Sequence, residues 1–483
     1  MALPDLIEIV PLSSPVKAEI TVPGSKSITN RALIFAALAD GETVLQGALW
    51  SEDTQIMVEC LQELGFMVNV EPDPAEPCNR TITVYGNGGA VPPGGTESQP
   101  LDLFVGNAGT AARFLAPFLC LGSGVYRLHG VPRMHERPQA ALLSALRELG
   151  YRVESEKGND KLPAIIFGGR VAFHSDPNLK VKDGDAVERV PTTHSCKVSI
   201  EDSSQFASAL LLSSKIGGWE IEIIGKNAEE SPYVAMTAKL MEAFPKRGGT
   251  FQIEPDASSG SYFWGIGWLL LLEEKTPQEE TSTGILRFET DFMARLTDQR
   301  QLPSLILRHW PVSDWQIDQR FPALLPNPPV MKLQDQVSRG RELGDSIMTA
   351  VVVAPFTSRP VQFTDLGRLR VQECERVVAL RTELTKCGAK VVEEGDTLTV
   401  WPSQLHGAEI ETYNDHRMAM CFAILGLKVP GIKIKNPACV KKTFPNFFQK
   451  VAGPPPNGLG AEIWEIKDGQ RTRKLSGEDL FAE

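Results

Sequence analysis

The sequence predicts an α/β (α+β) protein of more than one domain, on the strength of its length, its alternation of strand-type and helix-type runs, and a word that recurs along it. At 483 residues the chain exceeds what one hydrophobic core usually serves. Short β-type runs alternate with runs of helical period, the pattern of helices layered on sheets. The recurring word is a helix, a glycine and a strand. It appears first at Asp53–Leu64, with Ile56, Met57, Cys60, Leu61 and Leu64 at helical spacing, Gly65 as the stop and Phe66–Val70 as the strand. It returns at Gln139–Leu149, Gly150 and Tyr151–Val153, and again at Val377–Cys387, Gly388 and Lys390–Val392. Such repetition points to several small sheets with their own helices rather than one large open sheet.

Two stretches interrupt the pattern. Glu71–Leu101 is rich in Pro and Gly and predicts a loop holding one strand at Thr81–Tyr85, and Glu273–Arg341 predicts an irregular insertion. Beyond Gly453, three successive prolines and mixed charge predict a tail outside the core. A net charge of -11 disfavours nonspecific binding to nucleic acid or anionic lipid, so any anion site must be a local basic cluster on an acidic body. The apolar run around Trp264–Leu272 carries glycines and is too short to span a bilayer, and the start has neither a signal-peptide nor a transit-peptide pattern. A cytoplasmic address is expected. The 8 cysteines are scattered without metal-ligand spacing, so neither a disulfide framework nor a zinc site is expected.

Six segments carry candidate chemistry. Pro23-Gly24-Ser25-Lys26-Ser27 opens a nearly all-apolar helix whose free N–H groups, with Lys26, Ser27 and Arg31, suit a carboxylate or phosphate. Gly106-Asn107-Ala108-Gly109 enters a second helix, where Gly109 permits close backbone approach. Arg133 and Arg137 share a loop, a common way to hold anions by bidentate contacts. Asp202-Ser203-Ser204-Gln205 opens a further helix; a simple N-cap explains Asp202 and Ser203 equally well. Glu373 and Arg376 lie three apart on one helix face, which fits a surface ion pair as readily as a site. Tyr413-Asn414-Asp415-His416-Arg417 precedes a hydrophobic run, with Lys441-Lys442 shortly after. Together Lys26, Arg133, Arg376, Arg417 and Lys442 are more anion-binding equipment than stability requires.

In this order and spacing the segments resemble the 5-enolpyruvylshikimate-3-phosphate (EPSP) synthase family, from about Val22 to Phe448. The quoted stretches continue through Asp256–Phe263 (DASSGSYF) and Lys442–Pro445 (KTFP). The resemblance implies an inverse α/β barrel in two lobes of three helix-and-sheet units each. It places residues 1–23 and 254–453 in one lobe, 24–253 in the other, and 454–483 in the tail, with chain crossings near Pro23 and Glu254. It also implies transfer of the enolpyruvyl unit of phosphoenolpyruvate to a hydroxyl of shikimate 3-phosphate or a similar anionic cyclic alcohol, in a monomeric enzyme without a cofactor. By motif, Lys26, Gly109, Arg133, Gln205, Arg376, Arg417 and Lys442 would clamp phosphoenolpyruvate. Ser27, Arg31, Asn107, Ser203, Ser204 and Tyr233 would meet substrate, mainly the acceptor. Asp345 would take the attacking hydroxyl's hydrogen bond, and Glu373 would serve proton transfer at the vinyl carbon, with Lys26 beside them in catalysis. Domain closure would complete the site.

The chain also departs from the family pattern. Gln372 stands where the family has a lysine, Arg368 where it has an asparagine, and Glu230 where it has a serine. At an effective dielectric of ~20 and ~5 Å one charge pair is worth about 3 kcal/mol, so these changes beside an acceptor phosphate predict an altered acceptor. Two alternatives therefore stand beside transfer to shikimate 3-phosphate: action on an unphosphorylated alcohol, with or without loss of the enolpyruvyl group, and a non-catalytic descendant. The sibling family acting on a UDP-sugar carries a reactive cysteine in the loop matching Arg133–Pro138, where this chain has none.

Overall fold

A computed structural model describes residues 3–13, 16–169, 194–225, 231–271, 305–325 and 335–482. The chain divides into two compact units. The first comprises Met1–Ser25, Asp73–Asn79 and Glu254–Glu483, and the second Lys26–Pro72 and Arg80–Ile253.

One strand plan recurs in both. In the second unit, Leu101–Phe104, Gly124–His129, Ala164–Gly168 and Val153–Ser155 lie side by side, paired parallel, antiparallel and antiparallel. In the first unit, Gln336–Ser338, Val361–Thr364, Thr397–Val400 and Val391–Glu394 repeat that order and those directions. In each copy one helix carries the chain between the two parallel strands, a second helix leads on to the edge strand, and a hairpin joins the last two strands. A further sheet of the second unit orders Gly249–Gln252, Asp40–Leu49, Asn79–Asn87 and Val68–Pro72, and Ser195–Ser199 pairs parallel with Glu220–Ile224. In the first unit Ala18–Ile20 likewise pairs parallel with Leu305–Leu307.

The glycines that close the recurring word sit where only a residue without Cβ is comfortable: Gly65, Gly150 and Gly388 have φ of +93°, +87° and +92°. The preceding helices are Glu52–Glu63, Ala140–Glu148 and Arg376–Lys386, and the strands after them start one or two residues later than periodicity suggests. Other helices are buried all round. Lys26–Leu38 is buried at every residue from Ile28 onward, as are Gly109–Cys120 and Ile347–Val353 throughout. In His416–Gly426, only Arg417 escapes burial. Helices with so little polar surface must lie inside, and they do. Lys26–Leu38, Gly109–Cys120 and Gln205–Gly217 pack against one another in the second unit, as do Ala257–Leu271, Ile347–Val353 and His416–Gly426 in the first.

Three expectations need correction. Residues beyond Gly453 are not a loose tail. Ile463–Lys467 pairs antiparallel with Leu6–Ile9 and with Gln470–Lys474, completing the five-stranded sheet that Glu409–Ile410 and Ile432–Lys435 begin. Alternating apolar residues drive this: Ile463, Leu475 and Leu480 are buried in the first unit's core despite the charges between them. Second, the stretch from Glu273 to Arg341 contains strands Leu305–Leu307 and Gln336–Ser338 and the helical turns Ile317–Arg320 and Phe321–Leu324, too short to show a period; residues 272–304 and 326–334 lie outside the described residues. Third, the Pro-rich loop contributes to the first unit through Asp73–Asn79. There the buried Glu76 accepts hydrogen bonds from Thr21 at 2.5 Å, Asn446 at 2.7 Å and Lys450 at 2.8 Å.

The sheet position of Ile463, fully buried opposite Ile9, makes Ile463→Ala a large-to-small core change. It is expected to cost about 2–4 kcal/mol in denaturant unfolding, and truncation after Gly453 is expected to give aggregated protein. An unfolding midpoint unmoved by Ile463→Ala would contradict the sheet assignment.

Candidate active site

In the second unit the three inner helices each begin on a residue singled out from sequence: Lys26, Gly109 and Gln205. Their first turns are stitched together. Asn30 donates to Thr110 Oγ1 at 3.3 Å, and Arg113 Nη1 donates to Gln205 Oε1 at 2.6 Å. Helix starts carry unsatisfied N–H groups and partial positive charge, so their adjacency builds a region that favours anions. Lys26 is held at 2.9 Å by Asp53 in the first turn of Glu52–Glu63.

Arg31 is almost wholly buried, and its guanidinium hydrogen-bonds to uncharged groups. Nε donates to Thr237 Oγ1 at 2.7 Å, Nη1 to the Ser27 carbonyl at 2.8 Å, and Nη2 to Ser208 Oγ at 3.1 Å and the Tyr233 carbonyl at 3.5 Å. The guanidinium lies 5.0 Å from the centroid of the Phe114 ring. Burial depresses its pKa to about 10, against a weaker opposing effect of Tyr233. Ser203 Oγ accepts from the Gln205 N–H at 3.2 Å, and Ser204 is the N-cap position. Tyr233 thus enters this cluster through its main-chain oxygen.

Two loop positions differ from expectation. Arg133 is 56% exposed at the side chain and bonded at 2.5 Å to Glu136, one turn away, because both project from the same side of a single 3-10 turn. It is Arg137 that sits at the helix start: its Nη1 donates to the Asn107 carbonyl at 3.2 Å. A Cβ on Gly109 would lie 2.6 Å from Arg137 Nη2, so this approach requires glycine.

The first unit gathers a denser cluster. Arg376, 1% exposed, donates through Nε to Asp415 Oδ2 at 2.7 Å, and through Nη2 to Asp415 Oδ1 at 3.2 Å and Glu373 Oε2 at 2.9 Å. Its Nη1 reaches Asp345 Oδ2 at 3.5 Å and also donates to Gln372. Burial opposes its charge, but Asp415, Glu373 and Asp345 outweigh burial and raise its pKa well above the usual value. Arg417 Nε lies 3.3 Å from Asp345 Oδ2, and Lys442 Nζ 3.2 Å from Glu373 Oε1. Arg339 Nη2 donates to Asp345 Oδ1 at 2.7 Å. Burial pushes the Asp345 carboxyl up, yet Arg417, Arg339 and Arg376 together hold it well below the ordinary carboxylate range. Local sequence explains the placement. Asp415 caps His416–Gly426 by accepting from the Arg417 N–H at 2.8 Å, so Asp415 and Arg417 share the first turn of that buried helix.

Asp345, Glu373, Arg376, Arg417 and Lys442 therefore converge within the first unit. Lys26, Ser27, Arg31, Asn107, Gly109, Ser203, Ser204, Gln205 and Tyr233 occupy the inner-helix region of the second, and Arg133 stands apart. The sequence reading gave no site role to Asp53, Arg113, Asp318, Arg339 or Asp415, and of the two loop arginines it placed Arg133, not Arg137, in the clamp. Arg113, four residues after Gly109, and Asp415, beside Arg417, were detectable from helical spacing and N-cap chemistry. Arg339 had no signal. Of the departures, Gln372 is bound to Arg376, Arg368 lies in the 3-10 turn Gly367–Val371, and Glu230 lies outside the described residues. Among the described residues no group of three or more His, Cys, Asp or Glu side chains is placed to hold a metal ion.

A family model described as EPSP synthase (3-phosphoshikimate 1-carboxyvinyltransferase) matches residues 10–247 and 245–451. The chain belongs to the EPSP synthase family. A 3-phosphoshikimate 1-carboxyvinyltransferase of Trichormus variabilis is 34% identical over 467 residues, covering 92% of this chain and 98% of its own. One from Opitutus terrae is also 34% identical, over 484 residues, covering 94% and 98%. Among solved structures, EPSP synthase from Acinetobacter baumannii aligns with a TM-score of 0.61 at 20% identity, over 95% of this chain and 100% of that one. The enolpyruvyl transferase NikO from Streptomyces tendae aligns at 0.57 and 14%, over 95% and 98%. At those identities the structures speak for the fold alone: the two-domain fold of EPSP synthases and enolpyruvyl transferases.

Asp415 both caps a helix and neutralises a buried guanidinium in this EPSP synthase family member. Asp415→Asn is expected to cost about 3–5 kcal/mol of stability, because Arg376 loses its principal counter-charge. The exposed Arg133→Ala should leave the thermal midpoint unchanged. Equal midpoints for the two variants would disprove the hub assigned to Arg376.

Proposed function

We propose that this chain transfers the enolpyruvyl group of phosphoenolpyruvate to a hydroxyl of shikimate 3-phosphate and releases inorganic phosphate. The observation that carries the reading is the first-unit cluster, where two carboxylates, Asp345 and Glu373, are each bonded to cations able to meet an anionic donor. The curated relatives named above support the choice of substrates.

The reaction needs a hydroxyl to attack C2 of phosphoenolpyruvate while C3 gains a proton. The tetrahedral intermediate then loses phosphate from C2 and a proton from C3. Asp345, ionised under the pull of Arg417, Arg339 and Arg376, accepts the hydrogen bond of the attacking hydroxyl, whose proton leaves with the released phosphate. Glu373, with Lys442 at 3.2 Å and Arg376 at 2.9 Å, gives the proton to C3 and later takes one back. Arg417 and Lys442 oppose the charge that gathers on the departing phosphate. Lys26, at the start of its helix, supplies a further cation for the donor, while Ser27, Arg31 and the Ser203–Gln205 turn address the acceptor's anionic and hydroxyl groups.

Gln372 favours a second reading of the acceptor. Its side chain accepts from Arg376 and brings no positive charge, which suits an alcohol lacking the phosphate.

Phosphate release from phosphoenolpyruvate should require shikimate 3-phosphate, and calorimetric titration should show tighter binding of that compound than of shikimate. Preference for shikimate would instead select the second reading, and no phosphate release with either alcohol would overturn transfer altogether. Glu373→Gln should lower kcat by about 10²–10⁴-fold with the fold intact, measured by the same assay beside circular dichroism.

A further inference from the structure

Arg339 belongs to none of the sequence segments that point to the site, yet its guanidinium makes the shortest contact to Asp345, 2.7 Å to Oδ1. The other oxygen, Oδ2, is shared by Arg417 at 3.3 Å and Arg376 at 3.5 Å. These three cations differ in what else they do. Arg376 is also committed to Asp415 and Glu373, and Arg417 to the Tyr262 hydroxyl at 3.4 Å. Under the proposed chemistry Arg417 and Arg376 face the donor's anionic groups, and a bound phosphate and carboxylate compete directly with Asp345 for them.

The chain around Arg339 is fixed. Its N–H donates to the Thr364 carbonyl at 3.1 Å, extending the pairing of Gln336–Ser338 with Val361–Thr364. Ser338 N–H donates to Glu342 Oε2 at 2.6 Å and Leu343 N–H to the Ser338 carbonyl at 3.2 Å, which closes the turn on itself. The N–H of Ser346, next to Asp345, donates to Asp318 Oδ1 at 2.7 Å. A Cβ on Gly344 would lie 2.5 Å from Asp318 Oδ2, so that carboxylate lies against the turn leading to Asp345. Burial and then the charge of Asp345 raise the Asp318 pKa.

We infer that Arg339 is a positioning residue for Asp345, holding Oδ1 in place when a bound donor draws Arg376 and Arg417 away from Oδ2. The inference rests on the proposed transfer reaction and adds to it a residue that touches neither reacting molecule. Its electrostatic consequence follows from the groups around Asp345: Arg339 at Oδ1, Arg376 and Arg417 at Oδ2, Asp318 held by the next residue's N–H, and Glu373, Asp415, Lys442 and Tyr262 one contact further off. Removing Arg339 takes away one of the three attractions that hold the carboxylate ionised against burial, so the carboxyl gains a proton at higher pH than before.

The test compares wild type, Arg339→Met and Arg339→Lys in phosphate release from phosphoenolpyruvate and shikimate 3-phosphate across pH, with thermal denaturation of each. Arg339→Met is expected to lower kcat by about 10–100-fold with KM for phosphoenolpyruvate changed by less than about threefold. The acid limb of its kcat/KM profile should move up by about one to two pH units, and Arg339→Lys should restore part of both. A folded Arg339→Met with wild-type kcat and an unmoved acid limb overturns the inference. A raised KM at constant kcat also overturns it, because Arg339 would then be a substrate ligand. If Arg339→Met fails to fold, Arg339→Lys decides by the same acid limb. An inactive wild type removes the transfer reading itself, a result distinct from an active wild type indifferent to residue 339.

Discussion

Arg376 is a charge taken almost completely out of water, a placement that costs several kcal/mol unless opposite charges and hydrogen bonds replace the lost solvent. Asp415, Glu373 and Asp345 replace it, and each comes from a different piece of chain. Asp415 starts His416–Gly426, Asp345 stands just ahead of Ile347–Val353, and Glu373 lies just ahead of Arg376–Lys386. One guanidinium therefore ties three helix starts into a fixed relation. Arg417 and Lys442 reach Asp345 and Glu373 because those carboxylates have already been gathered.

The two units solve the same problem with different materials. Each buries helices that are apolar on nearly every side, so polar groups can appear only at their ends, and sheet-to-helix connections bring those ends together. In the first unit the ends are held by ion pairs between carboxylates and guanidinium groups. In the second, one ion pair, Lys26 to Asp53, stands beside contacts without a carboxylate, Asn30 to Thr110 and Arg113 to Gln205, and Arg31 is surrounded by hydroxyls, carbonyls and a phenyl ring. A buried cation with neutral surroundings gains more from an incoming carboxylate than one already paired.

Much of this was legible in the sequence because the relevant residues sit at helix starts, which Gly, Ser and Asp announce locally. Lys26, Gly109, Gln205 and Arg417 were found that way, and the repeated helix, glycine and strand revealed small sheets before any strand pairing was known. What stayed hidden depends on partners distant in the chain. Arg133 and Arg137 are equivalent by spacing, and only the geometry of Gly109 and Asn107 shows which guanidinium lies over the helix start. Glu76 is an ordinary acid in a Pro-rich loop until Thr21, Asn446 and Lys450 are seen around it. The last thirty residues misled for a related reason: their apolar positions alternate among charges, a weak pattern alone and a clear one once Leu6–Ile9 lies opposite.

That strand, Leu6–Ile9, lies third of five in its sheet, between Ile432–Lys435 and Ile463–Lys467. It is synthesised several hundred residues before either of them. Until Ile432–Lys435 is made Ile7 and Ile9 have no sheet to join, whereas residues 26–253, apart from one short excursion, can assemble as soon as they are made. The order of assembly thus departs from the order of synthesis: a central strand of this sheet waits for partners made long after it.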